Sequence, residues 1–216
     1  MQTLTKLALG VMGKLRPKPA IGSSADAIAL PVPETDGGLP LMQALQRRHS
    51  AREFAPDALP LPLLSGLLWA ACGCNRPDGG RTAPSALNAQ EIDLVVALPS
   101  GAYRYDAASH RLLLVTSGDL RRVTGYQDFV DEAPLDLVYL ADHARMGLVP
   151  VHQRECYASV AAGAIAQNVY LFAASNGLAT VLRGWIDRGS IADALGLTHD
   201  QQVLLSQTVG YPKVAA

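Results

Sequence analysis

The sequence predicts one mixed domain in which helices pack on a β-sheet. The chain has 216 residues, which is enough for a single domain with a full core. Apolar runs of strand length at residues 92–98 and 135–141 alternate with stretches of helical periodicity, and no internal repeat is present. Strands that alternate with helices indicate a layered α/β or α+β protein.

Helix boundaries are predicted from proline, glycine and capping residues. A helix over residues 61–72 has Pro60 and Pro62 near its first turn and stops at Gly73. The longest helix covers residues 155–175 and is followed by Asn176 and Gly177, which form a helix-ending signal. Asp119 is a good N-cap for a helix through about Tyr126. Shorter helices are predicted over residues 40–49 and 190–195.

The remaining strands are predicted from short apolar or alternating runs. Residues 103–105 and 111–116 flank a polar turn and indicate a hairpin. Further strands are predicted over residues 178–182 and 203–209. The start of the chain is different, because Pro17, Pro19, Pro31 and Pro33 make a compact unit unfavourable there. We therefore expect a flexible N-terminal arm over residues 1–38 and a folded domain over residues 39–216.

Composition excludes several classes of partner. The net charge of -1 gives no general attraction to nucleic acid. No uninterrupted apolar run approaches the roughly 20 residues that a membrane span needs. Three cysteines are too few for a disulfide framework and favour a reducing compartment, so a cytoplasmic protein is expected. Lys6 and the apolar residues after it leave export through a cleaved signal as an alternative.

A basic segment follows the first predicted helix. It reads Arg48-His49-Ser50-Ala51-Arg52 and offers two guanidiniums, an imidazole and a hydroxyl. Guanidiniums bind phosphate as two-pronged donors, and a hydroxyl adds a neutral donor. The alternative is a solvated helix end, which Arg47 beside it also suggests. His49 is the less certain ligand, because a surface histidine is equally consistent with the pattern.

A carboxamide segment precedes the apolar strand at residue 92. It reads Pro84-Ser85-Ala86-Leu87-Asn88-Ala89-Gln90. Carboxamides both donate and accept, which suits the edge of a heterocycle that carries N–H and C=O groups. A purely structural role, in which Asn88 and Gln90 brace a turn after Pro84, stays open. Together with the basic segment, these residues fit a nucleotide-like cofactor that is not nucleic acid.

These segments resemble the nitroreductase family of flavin enzymes, in the family's order along the chain. The family's first motif is Arg, Arg or His, Ser, any residue, then Arg or Lys. Its second motif, Ser-x-x-Asn-x-Gln, matches Ser85, Asn88 and Gln90. Further stretches resemble the family's central helix, its flavin loop and its last strand. They are Gly163 to Asn168 with Asn176 to Leu178, Leu182 to Asp187, and Val209 to Lys213. The resemblance covers about residues 39–213 and includes the branch that dehydrogenates rings in peptides, which the Pro84-Ser85-Ala86 stretch also resembles.

The resemblance implies an α+β fold with a central, mainly antiparallel sheet, and a homodimer that binds FMN between its subunits. Electrons would pass from a reduced donor such as NAD(P)H to a nitro compound, quinone or enone. A flavin-binding or flavin-sequestering module, or a structural homodimer without turnover, are the alternatives. The residues expected to bind the cofactor are Arg48, His49, Ser50, Arg52, Pro84, Ser85, Asn88, Gln90, Leu182, Arg183, Gly184 and Lys213.

Within this resemblance the expected roles differ. Arg48 and Ser50 would hold the phosphate, and Arg52 would lie toward the pyrimidine ring of the flavin, where a positive charge favours the anionic reduced form. Gly184 would let its backbone approach the flat ring. Lys213 would add a cation at the phosphate, although the chain stops soon after it. No catalytic acid or base and no metal ligand are assigned, because the flavin itself carries the redox chemistry.

Overall fold

The computed structural model describes residues 27–213. The first 26 residues of the predicted arm, with the signal-like start, lie outside the described residues, as do residues 214–216. Within the rest of the arm, Ala27–Ala29 form a short edge strand that pairs with a strand of the main sheet. This stretch therefore takes part in the sheet.

A seven-stranded sheet forms the centre of the described chain, in the order β1-β4-β3-β2-β5-β7-β6. Every pairing between neighbouring strands is antiparallel. The α+β fold with a mainly antiparallel sheet is confirmed. The strands are β1 Ala27–Ala29, β2 Ile92–Leu98, β3 Gly101–Asp106, β4 Arg111–Ser117, β5 Leu135–Asp142, β6 Ala179–Arg183 and β7 Gln201–Gly210.

Four α-helices accompany the sheet in the described range, close to their predicted positions. They are α1 Leu41–Arg47, α2 Leu61–Cys72, α3 Val151–Ser175 and α4 Arg188–Leu195. Helix α2 has the predicted bounds, with a proline in its first turn. Helix α3 ends as predicted, because Gly177 adopts a φ of 67° and Leu178 N–H closes the last turn on Ala173 O at 2.9 Å.

The helix predicted from Asp119 through about Tyr126 is wrong. The chain forms only a 3₁₀ turn over Arg121–Thr124 and then runs extended at Gly125. The Asp119 carboxylate accepts a hydrogen bond from Arg121 N–H at 3.0 Å and also pairs with the Arg121 side chain at 2.6 Å. Asp119 therefore stabilises a local turn, and no apolar face extends the helix beyond it.

Both faces of the sheet are covered. The small residues Ala158, Ala162 and Ala166 of α3 are buried in the main core, which includes Leu94 and Val96 of β2. Because neighbouring residues of a strand point to opposite faces, Val95 belongs to a second apolar cluster. Helix α4 covers that second face. The small side chains of α3 let its backbone lie close to the sheet.

Helix α3 also presents an apolar side that nothing in the described chain covers. By length and composition alone this 25-residue helix could cross a membrane. One side of it packs on the sheet and on α2, however, and α1 packs beside it. We call the exposed remainder the α1/α3 face. Its exposed apolar residues are Leu41, Met42, Leu45, Tyr157 and Val160.

A buried ion pair joins the strands at the β6 end of the sheet. The Arg183 guanidinium of β6 donates to the Asp136 carboxylate of β5 at 2.7 Å, and both side chains are almost fully buried. Arg183 also donates to the backbone oxygen of Thr124 at 2.8 Å. A buried charge pair needs such additional hydrogen bonds to offset the loss of hydration. Arg183 therefore fixes the segment around Thr124 to the sheet.

A second buried carboxylate, Glu91, lies at the start of β2. It is fully buried, and within the described residues neither carboxylate oxygen has a hydrogen-bond partner. Burial raises the pKa of Glu91 above its usual value of 4.5, and the charges of Arg145 and His143 oppose that rise only in part. Folding thus favours the protonated carboxyl more than the unfolded chain does.

We predict that Glu91 makes the folded protein less stable as the pH rises. A folded-state pKa above the unfolded value means that the contribution is fully present below pH 4.5 and is lost as the pH passes through the raised pKa. Glu91→Gln keeps the shape without the charge. Urea unfolding between about pH 5 and pH 8 should show a smaller decline in the free energy of unfolding for the variant. The same decline in both proteins would contradict this account.

Candidate functional site

The hydroxyl of Tyr170 joins two of the predicted cofactor-binding segments. Tyr170 lies on α3, and its hydroxyl is 2.8 Å from Ser50 Oγ. Leu182 N–H donates to the same oxygen at 2.8 Å. The Arg48 guanidinium lies over the Tyr170 ring, 5.3 Å from its centroid. A hydroxyl that accepts from Leu182 can donate to Ser50, which leaves the Ser50 hydrogen free for a ligand.

The basic segment is held in place by its own backbone. Arg48 N–H donates to Ala44 O at 2.9 Å and so ends α1. Ala51 N–H donates to Thr180 O at 3.0 Å, which ties the segment to β6. His49 and Arg52 are exposed, and the His49 Nδ1–H donates to Arg47 O at 2.8 Å. The His49 ring is therefore directed to its own chain, while the side chains of Arg48 and Ser50 lie together at Tyr170.

The end of the described chain lies beside the basic segment. Lys213 N–H donates to Glu53 O at 3.2 Å, and Ala55 N–H donates to Tyr211 O at 2.9 Å. The Lys213 ammonium is 3.9 Å from a carboxylate oxygen of Glu132, and both side chains are more than half exposed. Exposed pairs of this kind contribute little free energy. The Lys213 ammonium thus lies near the basic segment. An anion that binds it more strongly than the Glu132 carboxylate could attract it.

The carboxamide segment forms a tightly braced turn. Gln90 N–H donates to Ser85 Oγ at 2.9 Å, and the Gln90 amide donates to Asn88 Oδ1 at 3.1 Å. Leu87, Asn88 and Gln90 all have positive φ values near 50°. Such values are unusual for residues other than glycine and are strained for leucine. The side chain of Gln90 thus braces the turn in this conformation, and its contact with a heterocycle stays a prediction. Pro84 precedes this turn and is exposed.

Gln90 is positioned by Arg81, a weaker candidate anion ligand in the sequence, and by Arg145, which the sequence did not single out. Arg81 Nε–H donates to Gln90 Oε1 at 2.7 Å. Arg145 donates to Gln90 O at 3.0 Å and pairs with Asp93 at 2.5 Å. Tyr170 was missed as well, because an aromatic residue in a long apolar helix resembles ordinary core. The feature that could have identified Tyr170 as a site residue was an aromatic hydroxyl within an alanine-rich stretch.

In the segment Leu182 to Gly184, only Gly184 is exposed. The Arg183 side chain turns to Asp136, and Arg183 as a whole is buried. Gly184 is exposed, and a Cβ placed on it would meet Leu205 at 3.8 Å, which is an ordinary contact. Packing within the described chain therefore does not require glycine at 184. This leaves close approach of a ligand as a reason for it.

One chain does not bring the basic and carboxamide segments together. Ser85 and Gln90 line a gap of about 20 Å³ with Ala161 and Ile165 of α3. Successive residues of an α-helix are about 100° apart around its axis, so Tyr170 points about 140° away from Ile165 and about 180° away from Ala161. The two segments therefore lie on different sides of α3. Among the described residues, no hydrogen bond or ion pair joins them.

Comparisons with known proteins identify the family. The family model of the nitroreductase family matches residues 45–211. A protein from Methanocaldococcus jannaschii that is named as a nitroreductase is 30% identical over 190 residues, which are 83% of this chain and 96% of the relative.

Solved structures give the same result. A protein from Ralstonia eutropha JMP134, also named as a nitroreductase, is 50% identical and superposes with a TM-score of 0.85. The match covers 93% of this chain and 96% of that protein. The NADPH:FMN oxidoreductase of Vibrio harveyi, solved with NAD+, shares the fold at 20% identity and a TM-score of 0.62. That match covers 81% of this chain and 69% of the other. The chain belongs to the nitroreductase family, whose members are typically flavin-dependent oxidoreductases.

Proposed function

We propose that this protein is an FMN-dependent oxidoreductase that passes electrons from NAD(P)H to a small organic acceptor such as a nitro compound, quinone or enone. The observation that carries the proposal is the grouping at Tyr170, where the Arg48 cation and the Ser50 hydroxyl meet the backbone of Leu182. A phosphate dianion needs such a cation and such a donor. Bound FMN would supply the redox chemistry.

The chain's own residues bind and orient the cofactor in this proposal. Arg48 and Ser50 hold the phosphate, with Lys213 close to the same segment. Arg52 supplies a positive charge near the ring. The exposed backbone at Gly184 lets the flat ring approach. Ser85 and Asn88 recognise the edge of the ring, with Gln90 and Arg81 holding the turn from which they project.

A homodimer completes the site in this proposal. The basic and carboxamide segments lie on different sides of α3, so a second copy can supply the one that the first copy lacks. The α1/α3 face offers exposed apolar surface for that contact, including Met42, 75% exposed, and Val160, 66% exposed. Exposed apolar patches of this kind mark interaction sites. A flavin between the subunits would then contact the basic segment of one chain and the carboxamide segment of its partner.

We predict that Arg48→Ala weakens FMN binding about ten- to a hundredfold. Charge-assisted hydrogen bonds contribute roughly 1.5–3 kcal/mol, and each 1.4 kcal/mol is about tenfold in affinity. Riboflavin lacks the phosphate, so its affinity should barely change. Fluorescence titration of the flavin-free protein measures both affinities, and circular dichroism checks the fold.

Arg47→Ala is the matched control, because Arg47 is exposed at the end of α1 next to Arg48. It should alter neither affinity. Unchanged FMN affinity in Arg48→Ala, or an equal loss for riboflavin, would show that Arg48 does not bind the phosphate.

We also predict that two inactive variants restore activity when combined in one dimer. Light scattering should first give about twice the chain mass of 22.8 kDa. Arg48→Ala and Asn88→Ala are then co-expressed with different tags, and the mixed dimer is isolated. If each site takes Arg48 from one chain and Asn88 from the other, the mixed dimer has one site with both native residues. Its flavin content and turnover should be about half those of the native dimer.

Each homodimeric variant, purified in the same way, is the control. A mixed dimer that is no more active than these controls would place both residues in one chain's site. A monomer that still holds flavin would contradict the shared site altogether.

A further inference from the structure

Two exposed aromatic rings lie against each other beside the 182–184 segment. Trp185 follows Gly184 directly and is 74% exposed, and Tyr126 is 54% exposed. Their ring centroids are 5.6 Å apart and the planes are tilted by 46°. The two rings come from chain segments about sixty residues apart. We call this pair the aromatic platform.

Arg183 holds the chain segment that carries Tyr126. The buried Arg183 guanidinium donates to Thr124 O at 2.8 Å and to Gln127 Oε1 at 3.3 Å, so it binds residues on both sides of Tyr126. Gly125 allows this approach, because a Cβ there would overlap the guanidinium. The position of Tyr126 is therefore fixed by the residue two places before Trp185.

The backbone around Trp185 has further restraints from its surroundings. Gln127 donates to Trp185 O at 3.4 Å. Asp187, two residues after Trp185, is fixed as the N-cap of α4 by Ser190 N–H at 3.0 Å. A ring that is already ordered loses little side-chain freedom when a ligand binds to it.

The fold does not need Trp185 for its core. The next residue, Ile186, is only 6% exposed and anchors the loop in the second apolar cluster. An exposed indole gains almost none of the free energy that burial of its apolar surface would give. Because the backbone around the ring is held in place and the ring is exposed, a ligand that covers its face would gain this surface without reorganising the chain.

We propose that Tyr126 and Trp185 form the binding surface for a flat, electron-poor acceptor ring such as a quinone or a nitroarene, and that they determine acceptor specificity. This inference rests on the proposed function, since it places the platform next to the backbone that would face the flavin. Aromatic faces carry negative charge density, and the indole face is the strongest of them. Electron-poor rings are therefore favoured, and acceptors without a flat face are not.

The kinetic test uses the flavin-loaded dimer and two acceptors, 1,4-naphthoquinone and ferricyanide. Trp185→Ala should raise the KM for the quinone about three- to tenfold, as expected from the stacking of one aromatic pair, with little change in kcat. Trp185→Phe should restore part of the loss. Ferricyanide has no flat ring, so its reduction should be unchanged, as should the rate at which NAD(P)H bleaches the flavin.

Three kinetic results would overturn the inference. They are an unchanged KM for the quinone, an equal loss with ferricyanide, and a raised KM for NAD(P)H in place of the quinone. Dissociation of the dimer in Trp185→Ala would also overturn it, because the platform would then be part of the subunit interface.

A binding test does not depend on turnover. The chain has two tryptophans, so Trp185 is the remaining indole in Trp69→Phe. Trp69 is a suitable residue to replace, since the hydrogen bond of its indole is a local one to Cys74 O at 3.1 Å. Titration of the oxidised protein with the quinone should quench Trp185 emission saturably, with an unchanged fluorescence lifetime.

Linear quenching with a shortened lifetime would indicate random collisions and would contradict a binding surface. If the native protein reduced neither acceptor but the quenching were saturable, the proposed function would be wrong, while the aromatic platform would still be a binding surface. If turnover were normal and the quenching linear, the proposed function would hold, and only the assignment of the aromatic platform as a binding surface would be wrong.

Discussion

The hydroxyl of Tyr170 is the interaction on which the candidate site depends. It accepts from the backbone of Leu182 and lies within hydrogen-bond distance of Ser50, so one oxygen sets the spacing between the end of β6 and the segment after α1. Arg48 lies over the ring of the same residue. Tyr170 is buried, and groups that it holds therefore keep their positions before any ligand binds. Without that oxygen, Leu182 N–H would lack its partner, and the basic segment would keep its backbone hydrogen bond from Ala51 N–H to Thr180 O.

In the proposed dimer, the alanine-rich helix α3 is the reason that two copies build the site. Small side chains let one side of the helix lie close to the sheet, and the same helix carries Tyr170 on one side and borders the carboxamide turn on another. A rigid helix cannot turn both sides to one ligand. The exposed apolar residues of the α1/α3 face then gain burial only when a second chain covers them. In this proposal, assembly and cofactor binding thus depend on the same helix.

Patterns in the local sequence predicted most of the helices and strands. They did not predict contacts between residues far apart in the chain. Strand Ile92–Leu98 and helix Leu61–Cys72 match their predictions, because a continuous apolar run and a proline–glycine boundary are properties of the local sequence. The helix after Asp119 failed, since its carboxylate binds Arg121 in a turn. The basic segment was found from its spacing. Tyr170 was not, because its contact with Ser50 spans 120 residues. The ion pair of Arg183 with Asp136 could not be predicted either, because Asp136 lies on another strand.

The absorption spectrum of the native protein tests the central claim most directly. The account predicts a yellow protein with flavin bands, release of a compound with the mass of FMN on denaturation, and bleaching of the bands when NADH or NADPH is added without oxygen. Colour should return when a quinone is added. Release of FAD, or no flavin bound after reconstitution with FMN, would contradict the account. Bound FMN that no donor bleaches would leave a flavin-binding protein without this electron transfer.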